Sequence, residues 1–148
     1  MKGDVNMKKI ILAVLCMFML VGFCGCSKND VTWSDLKQKS DLLVQNDWTV
    51  FHEDTNENAT ELSEEYDSMV KTIDAKYTIE IIHVLCLNKG DDYTCNFYEL
   101  KTEEQPNYIY NLYKSREGNM RKLFISGKYI VDTNSDEAIQ LLGYQFIL

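Results

Sequence analysis

Two cysteines in the second half of the chain, Cys86 and Cys95, are spaced to meet across a β-hairpin. A two-residue turn at Gly90-Asp91 pairs Lys89 with Asp92 and brings Cys86 opposite Cys95. Directly opposed residues at a non-hydrogen-bonded position have Cα atoms about 4.5 Å apart, within disulfide range. Such a bond would be a structural staple, because no Cys-x-x-Cys is present to suggest redox exchange. The same register puts Ile82, Val84 and Phe97 with the cysteines on one face, which is then the core face. The plainer alternative is two free, buried thiols acting as small apolar side chains. A turn at Lys89-Gly90 would oppose Cys86 to Tyr93 instead.

Acid–base chemistry has few candidates. Glu80 and Glu99 lie on the two strands of that hairpin and are the carboxylates it could bring into one cleft. A solvated strand end accounts for them better. The only histidines are His52 and His83. Zinc binding or proton transfer would need partners converging from elsewhere in the chain. Nucleophile elbows, phosphate-cradling glycine loops and metalloprotease signatures are absent, so no cofactor is implied.

The stretch Asp54 to Glu65 resembles an EF-hand calcium loop in its spacing. The resemblance implies side-chain oxygens from Asp54, Asn56 and Asn58, a carbonyl from Thr60 and a bidentate carboxylate from Glu65. Ala59 stands where that loop needs glycine, and Glu61 where it has an apolar residue. Acidic residues ahead of and within a helix's first turn are also ordinary capping and dipole chemistry. That reading competes for the same residues.

The N-terminus carries a different chemistry. Lys8-Lys9 precede an uncharged run from Ile10 to Val21, the pattern of a secretory leader. A comfortable bilayer span needs roughly 20 apolar residues, more than this run supplies. Phe23-Cys24-Gly25-Cys26 resembles the lipobox of bacterial prolipoproteins, with Gly25 as the small residue before the cysteine. The resemblance implies cleavage before Cys26 and a diacylglyceryl group on its sulfur. It covers residues 1–26 alone. Two acyl chains hold a protein firmly where one holds marginally, since each buried methylene contributes about 0.8 kcal/mol. The organisation expected is a leader over 1–25, a short tether over 26–31 and one domain over 32–148. A plain secretory leader or an uncleaved signal anchor are the alternatives.

The elements that must position these residues follow from periodicity. Thr32 with Asp35 three residues on predicts a capped helix through Val44. A strand is expected over Trp48–Phe51. The next helix is capped at Asn58 or Thr60 and carries Leu62, Tyr66, Met69, Val70 and Ile73 at helical spacing. Tyr77–Leu87 and Tyr93–Leu100 form the cysteine hairpin. A helical segment beginning near Thr102 tolerates Pro106 in its first turn and ends at Gly118. Met120–Ile125 and Lys128–Asp132 make a second hairpin. Asn134 or Ser135 opens a last helix that stops at Gly143, and Tyr144–Leu148 is an apolar tail that packs or adds an edge strand. Hairpins separated by helices predict an α+β domain, a small antiparallel sheet packed with about four helices.

Charge narrows the partners. The 148-residue chain has net charge −8. Loss of residues 1–25, with three lysines and Asp4, removes a net +2 and leaves −10 on the remaining 123 residues. Such a surface repels phosphate backbones, so nucleic acid is not an expected partner. Tyr98, Tyr110 and Tyr129 could form an aromatic contact surface for a protein or a glycan. Half-buried sheet positions also favour tyrosine without any such role. The composite expectation is a lipid-anchored protein on the extracytoplasmic face of the cell membrane, binding a protein or small molecule without catalysis. A small envelope enzyme using paired carboxylates, and a structural or self-protection lipoprotein, are the alternatives.

Overall fold

A computed structural model describes residues 30–148. The leader and the lipidation candidate Cys26 lie outside the described residues. Helix α1 (Trp33–Val44) opens on a capping box in which the Thr32 backbone N–H and hydroxyl donate to Asp35 while the Asp35 N–H donates to Thr32 Oγ1. Strand β1 (Thr49–His52) follows, then α2 (Asn56–Val70). Strands β2 (Ile81–Lys89) and β3 (Tyr93–Leu100) form the first hairpin. Helix α3 (Gln105–Ser115) leads to the second hairpin, β4 (Lys122–Ser126) and β5 (Tyr129–Thr133). Helix α4 (Asp136–Leu142) is capped by the Ser135 hydroxyl and closed by Gly143 in the left-handed region, φ +68°.

The five strands form one antiparallel sheet in the order β1-β2-β3-β5-β4. The fold class is α+β. Both faces of the sheet are covered. Leu36 and Leu43 of α1 with Ala138 and Leu142 of α4 pack on Leu87, Cys95, Phe97 and Val131. On the other face, Tyr66 and Val70 of α2 with Ile109, Leu112 and Tyr113 of α3 pack on Val84, Cys86, Tyr98, Leu100 and Ile130. Central strand β3 is therefore apolar on both sides from Phe97 to Leu100 apart from Glu99.

The tail closes one sheet edge. Leu123 and Ile147 exchange two backbone hydrogen bonds of 2.9 and 2.7 Å. Phe124 stacks on Tyr144 at 4.0 Å between ring centres. Among the described residues no helix is long and apolar enough to cross a membrane.

The hairpin register corrects the cysteine pairing. Lys89 pairs with Tyr93 across a three-residue loop, Gly90 to Asp92, rather than with Asp92 across two. Cys86 then faces Asn96, and Cys95 faces Leu87. One residue of slip turns a side chain to the other face of a sheet. Cys86 consequently lies under α2 and α3, Cys95 lies under α1 and α4, and both are free and buried. Val84 and Phe97 fall on opposite faces for the same reason, and Ile82 is 40% exposed.

Candidate functional site

At the end of the sheet nearest residue 30, three paired positions make a polar row: His83 on β2, Glu99 on β3 and Tyr129 on β5. Helix α1 supplies the lid of this row. Trp33, its first residue, stacks on the His83 ring with centroids 5.3 Å apart and planes 20° from parallel. Asp54, just after β1, is fixed by three donors or ring atoms: Trp33 Nε1 at 3.1 Å, the Val84 N–H at 3.2 Å and His83 Nδ1 at 3.1 Å. The other ring nitrogen, Nε2, faces Glu99 Oε2 at 3.9 Å, too far for a hydrogen bond.

Glu99 is buried, and its other oxygen takes the Lys128 ammonium at 2.5 Å. That hydrogen bond raises the Lys128 pKa above its ordinary value. Lys128 belongs to the loop between β4 and β5, where Gly127 has φ +56°. A glycine at that position lets the chain reverse without the steric cost a side chain would meet.

Beside this row is a groove of about 550 Å³, lined by Asp30, Val31, Glu103, Phe124, Ile125 and Ser126 among others. An adjoining hollow of about 280 Å³ extends it past Thr32 to Lys128 and Tyr129. The walls mix two carboxylates, one lysine already paired, the hydroxyls of Thr32, Ser126 and Tyr129, and aromatic and aliphatic faces. Such a mixture can hold a ligand by shape, stacking and a few polar contacts.

The expected site residues are placed differently. Helix α2 begins at Asn56, capped by Thr55, so Asn56, Asn58, Thr60 and Glu65 are helical and radiate around its axis. They cannot wrap a cation as a loop does. Asp54 is spent on Trp33, His83 and Val84, Asn58 Nδ2 donates to the Glu53 carbonyl, and Thr60 Oγ1 donates to the Asn56 carbonyl. Those contacts overturn the calcium loop. Among the described residues no group of three or more His, Cys, Asp or Glu could hold a metal ion. Glu80 and Glu99 engage different lysines, Lys101 at 2.7 Å and Lys128. Tyr98 is buried at the centre of the sheet and Tyr129 is half-buried, so neither forms an open aromatic face.

Sequence reasoning missed the Asp54–His83–Trp33 cluster, because its members are 29 and 21 residues apart and meet only in the sheet. It also missed a buried ionic centre on the opposite face. Asp132, fully buried on β5, accepts from Arg121 Nε at 2.8 Å, from Arg121 NH2, and from Asn96 Nδ2 at 3.0 Å. Tyr113 and Tyr66 hydroxyls add bonds of 3.2 and 3.4 Å. A lone aspartate inside the apolar strand YIVDT was the available signal, since a carboxylate there needs a cation. No family model, curated protein or solved structure matches this chain.

Proposed function

We propose that the protein is a lipoprotein anchored through Cys26 to the extracytoplasmic face of a membrane, and that its domain is a non-catalytic binding module using the groove beside the tether. The observation that carries this reading is the position of the groove. Its wall includes Asp30 and Val31, the first residues of the described domain. Cys26 is four residues earlier, a reach of at most about 14 Å for extended chain. A lipid on that sulfur would keep the groove close to the headgroup layer, where it meets molecules at the membrane surface. The polar row beside it is held in place by its own contacts, which suits a fixed recognition surface.

A second reading, a small envelope enzyme, draws on one observation. His83 is oriented through Nδ1 by a carboxylate, as a general base commonly is. Glu99, its neighbour at Nε2, is already paired with Lys128, which favours binding over proton transfer.

Two measurements on the full chain in cells test the main reading. An alkyne fatty acid should label the membrane-associated protein and fail to label Cys26→Ser. Soluble, unlabelled wild type would overturn the anchor. A photo-crosslinking p-benzoylphenylalanine replacing Ser126 should give a discrete crosslinked species that the same group at exposed Glu64 does not give. Identical patterns at both positions would overturn the groove.

A further inference from the structure

The far end of the sheet carries a second surface of different chemistry. Tyr93, at the start of β3, is six residues from Glu99 and therefore about 20 Å from the polar row. Here a hollow of about 360 Å³ is lined by Tyr93, Met120, Asn134, Ser135, Asp136 and Glu137. Met120 is 79% exposed and Tyr93 48%. Met120 has the highest exposure of the large apolar side chains in the described residues.

The surface is braced from beneath. Arg121, next to Met120, is tied to Asp132 and donates to Thr94 Oγ1 at 2.8 Å. Asn134 joins the two hairpins, accepting from the Thr94 N–H and donating to the Asp92 carbonyl, each at 2.8 Å. The backbone flanking Tyr93 and Met120 is thus tied down, although their side chains stay exposed.

Charge selects the occupant. Lys89 is taken by Glu137 at 2.7 Å. Among the described residues no cation pairs with Asp91, Asp92 or Asp136. Exposed methionine and tyrosine, with Asp136 in the wall of the hollow and Asp91 and Asp92 in the loop that leads into Tyr93, complement a basic segment with an apolar side chain. A second copy would bring like charges together, and an anionic membrane would be repelled.

We infer that this end is a docking surface for a lysine- or arginine-rich segment of a partner protein, whose apolar side chain seats between Tyr93 and Met120. With the groove at the tether end, the domain then has two faces, one toward the membrane and one away from it.

The probe is a fluorescein-labelled peptide, Lys-Gly-Lys-Leu-Lys-Gly-Lys. It is titrated by anisotropy against the full chain in phosphatidylcholine nanodiscs, with empty nanodiscs as blank. Saturable binding is expected. Met120→Ser and Tyr93→Ser, which remove the apolar contact without adding charge, should each weaken it about fivefold or more, as loss of a contact anchor does. The triple change of Asp91, Asp92 and Asp136 to Asn should weaken it and flatten its salt dependence. The triple change of Glu61, Glu64 and Glu65 to Gln, equal in charge on α2, should leave it unchanged. Equal loss in the two triple variants, or equal affinity for a peptide with glycine in place of leucine, would reduce the effect to overall charge and overturn the assignment. No saturable binding, or preference for a neutral glycan over the peptide, would overturn it as well.

Discussion

Asp132 is the residue on which the charge balance of the interior depends. Its carboxylate is fully buried, and its partner Arg121 is mostly so. Desolvating both ions is costly, and removing one leaves the other without compensation. Asp132→Asn should therefore cost about 3–5 kcal/mol of stability in urea unfolding. The double change Asp132→Leu with Arg121→Met, which removes both charges, should cost less than the single change. A double variant less stable than Asp132→Asn would mean that the charge pair, together with the acceptor Asp132 gives to Asn96, Tyr113 and Tyr66, contributes net stability. Asn96 occupies a linked position: its amide donates to Asp132, while its Oδ1 is buried without a hydrogen-bond partner.

At the scale of elements, the C-terminal tail decides whether the β4 edge is open. An unpaired edge strand offers its backbone groups to other chains. Here Ile147 takes up the Leu123 groups, and Tyr144 and Phe146 flank Phe124. Two half-buried aromatic side chains and two backbone hydrogen bonds together contribute about 3 kcal/mol. Deletion of residues 144–148 should lower stability by that order and promote association at micromolar concentration. Calorimetry and light scattering read the two effects. An unchanged melting temperature with no association would show that the tail does not protect the edge. At the opposite edge, β1 has four residues and an irregular register between Val50 and His52, both of which limit strand pairing.

For the whole molecule, burial on both faces of the sheet sets the response to alkali. Burial pushes the Cys86 thiol up to about 12 and raises Cys95 as well. Burial likewise raises the hydroxyls of Tyr66, Tyr98 and Tyr113 above the ordinary tyrosine range. These acids keep their protons longer when folded than when unfolded. Stability is then complete below the unfolded values of 9.0 for cysteine and 10.0 for tyrosine, and falls as pH rises beyond them. Unfolding measured between pH 8 and pH 12 should show stability flat at first, then dropping with uptake of base. Tyrosinate absorbance should appear for these three residues only as the fold is lost. Gradual titration of all nine tyrosines in an intact fold would contradict the buried placement.

The local elements were legible because their signals are local. Thr32 and Asp35 are three residues apart, Ser135 and Gly143 bracket one short helix, and the bounds of β3 follow from turn residues on one side and the helical segment that starts near Thr102 on the other. The order of elements and the α+β class followed from these. Register did not, because one extra residue in the loop at Gly90 moves every side chain of a strand to the other face. That single residue separates Cys86 from Cys95. Nor could adjacent residues reveal that Asp54 would meet His83, or that Arg121 would meet Asp132, since these contacts exist only once the strands are paired. Propensity and capping act over three or four residues and are written in the chain. Convergence of distant polar groups depends on strand order and on which face each element buries, and tertiary structure alone decides it.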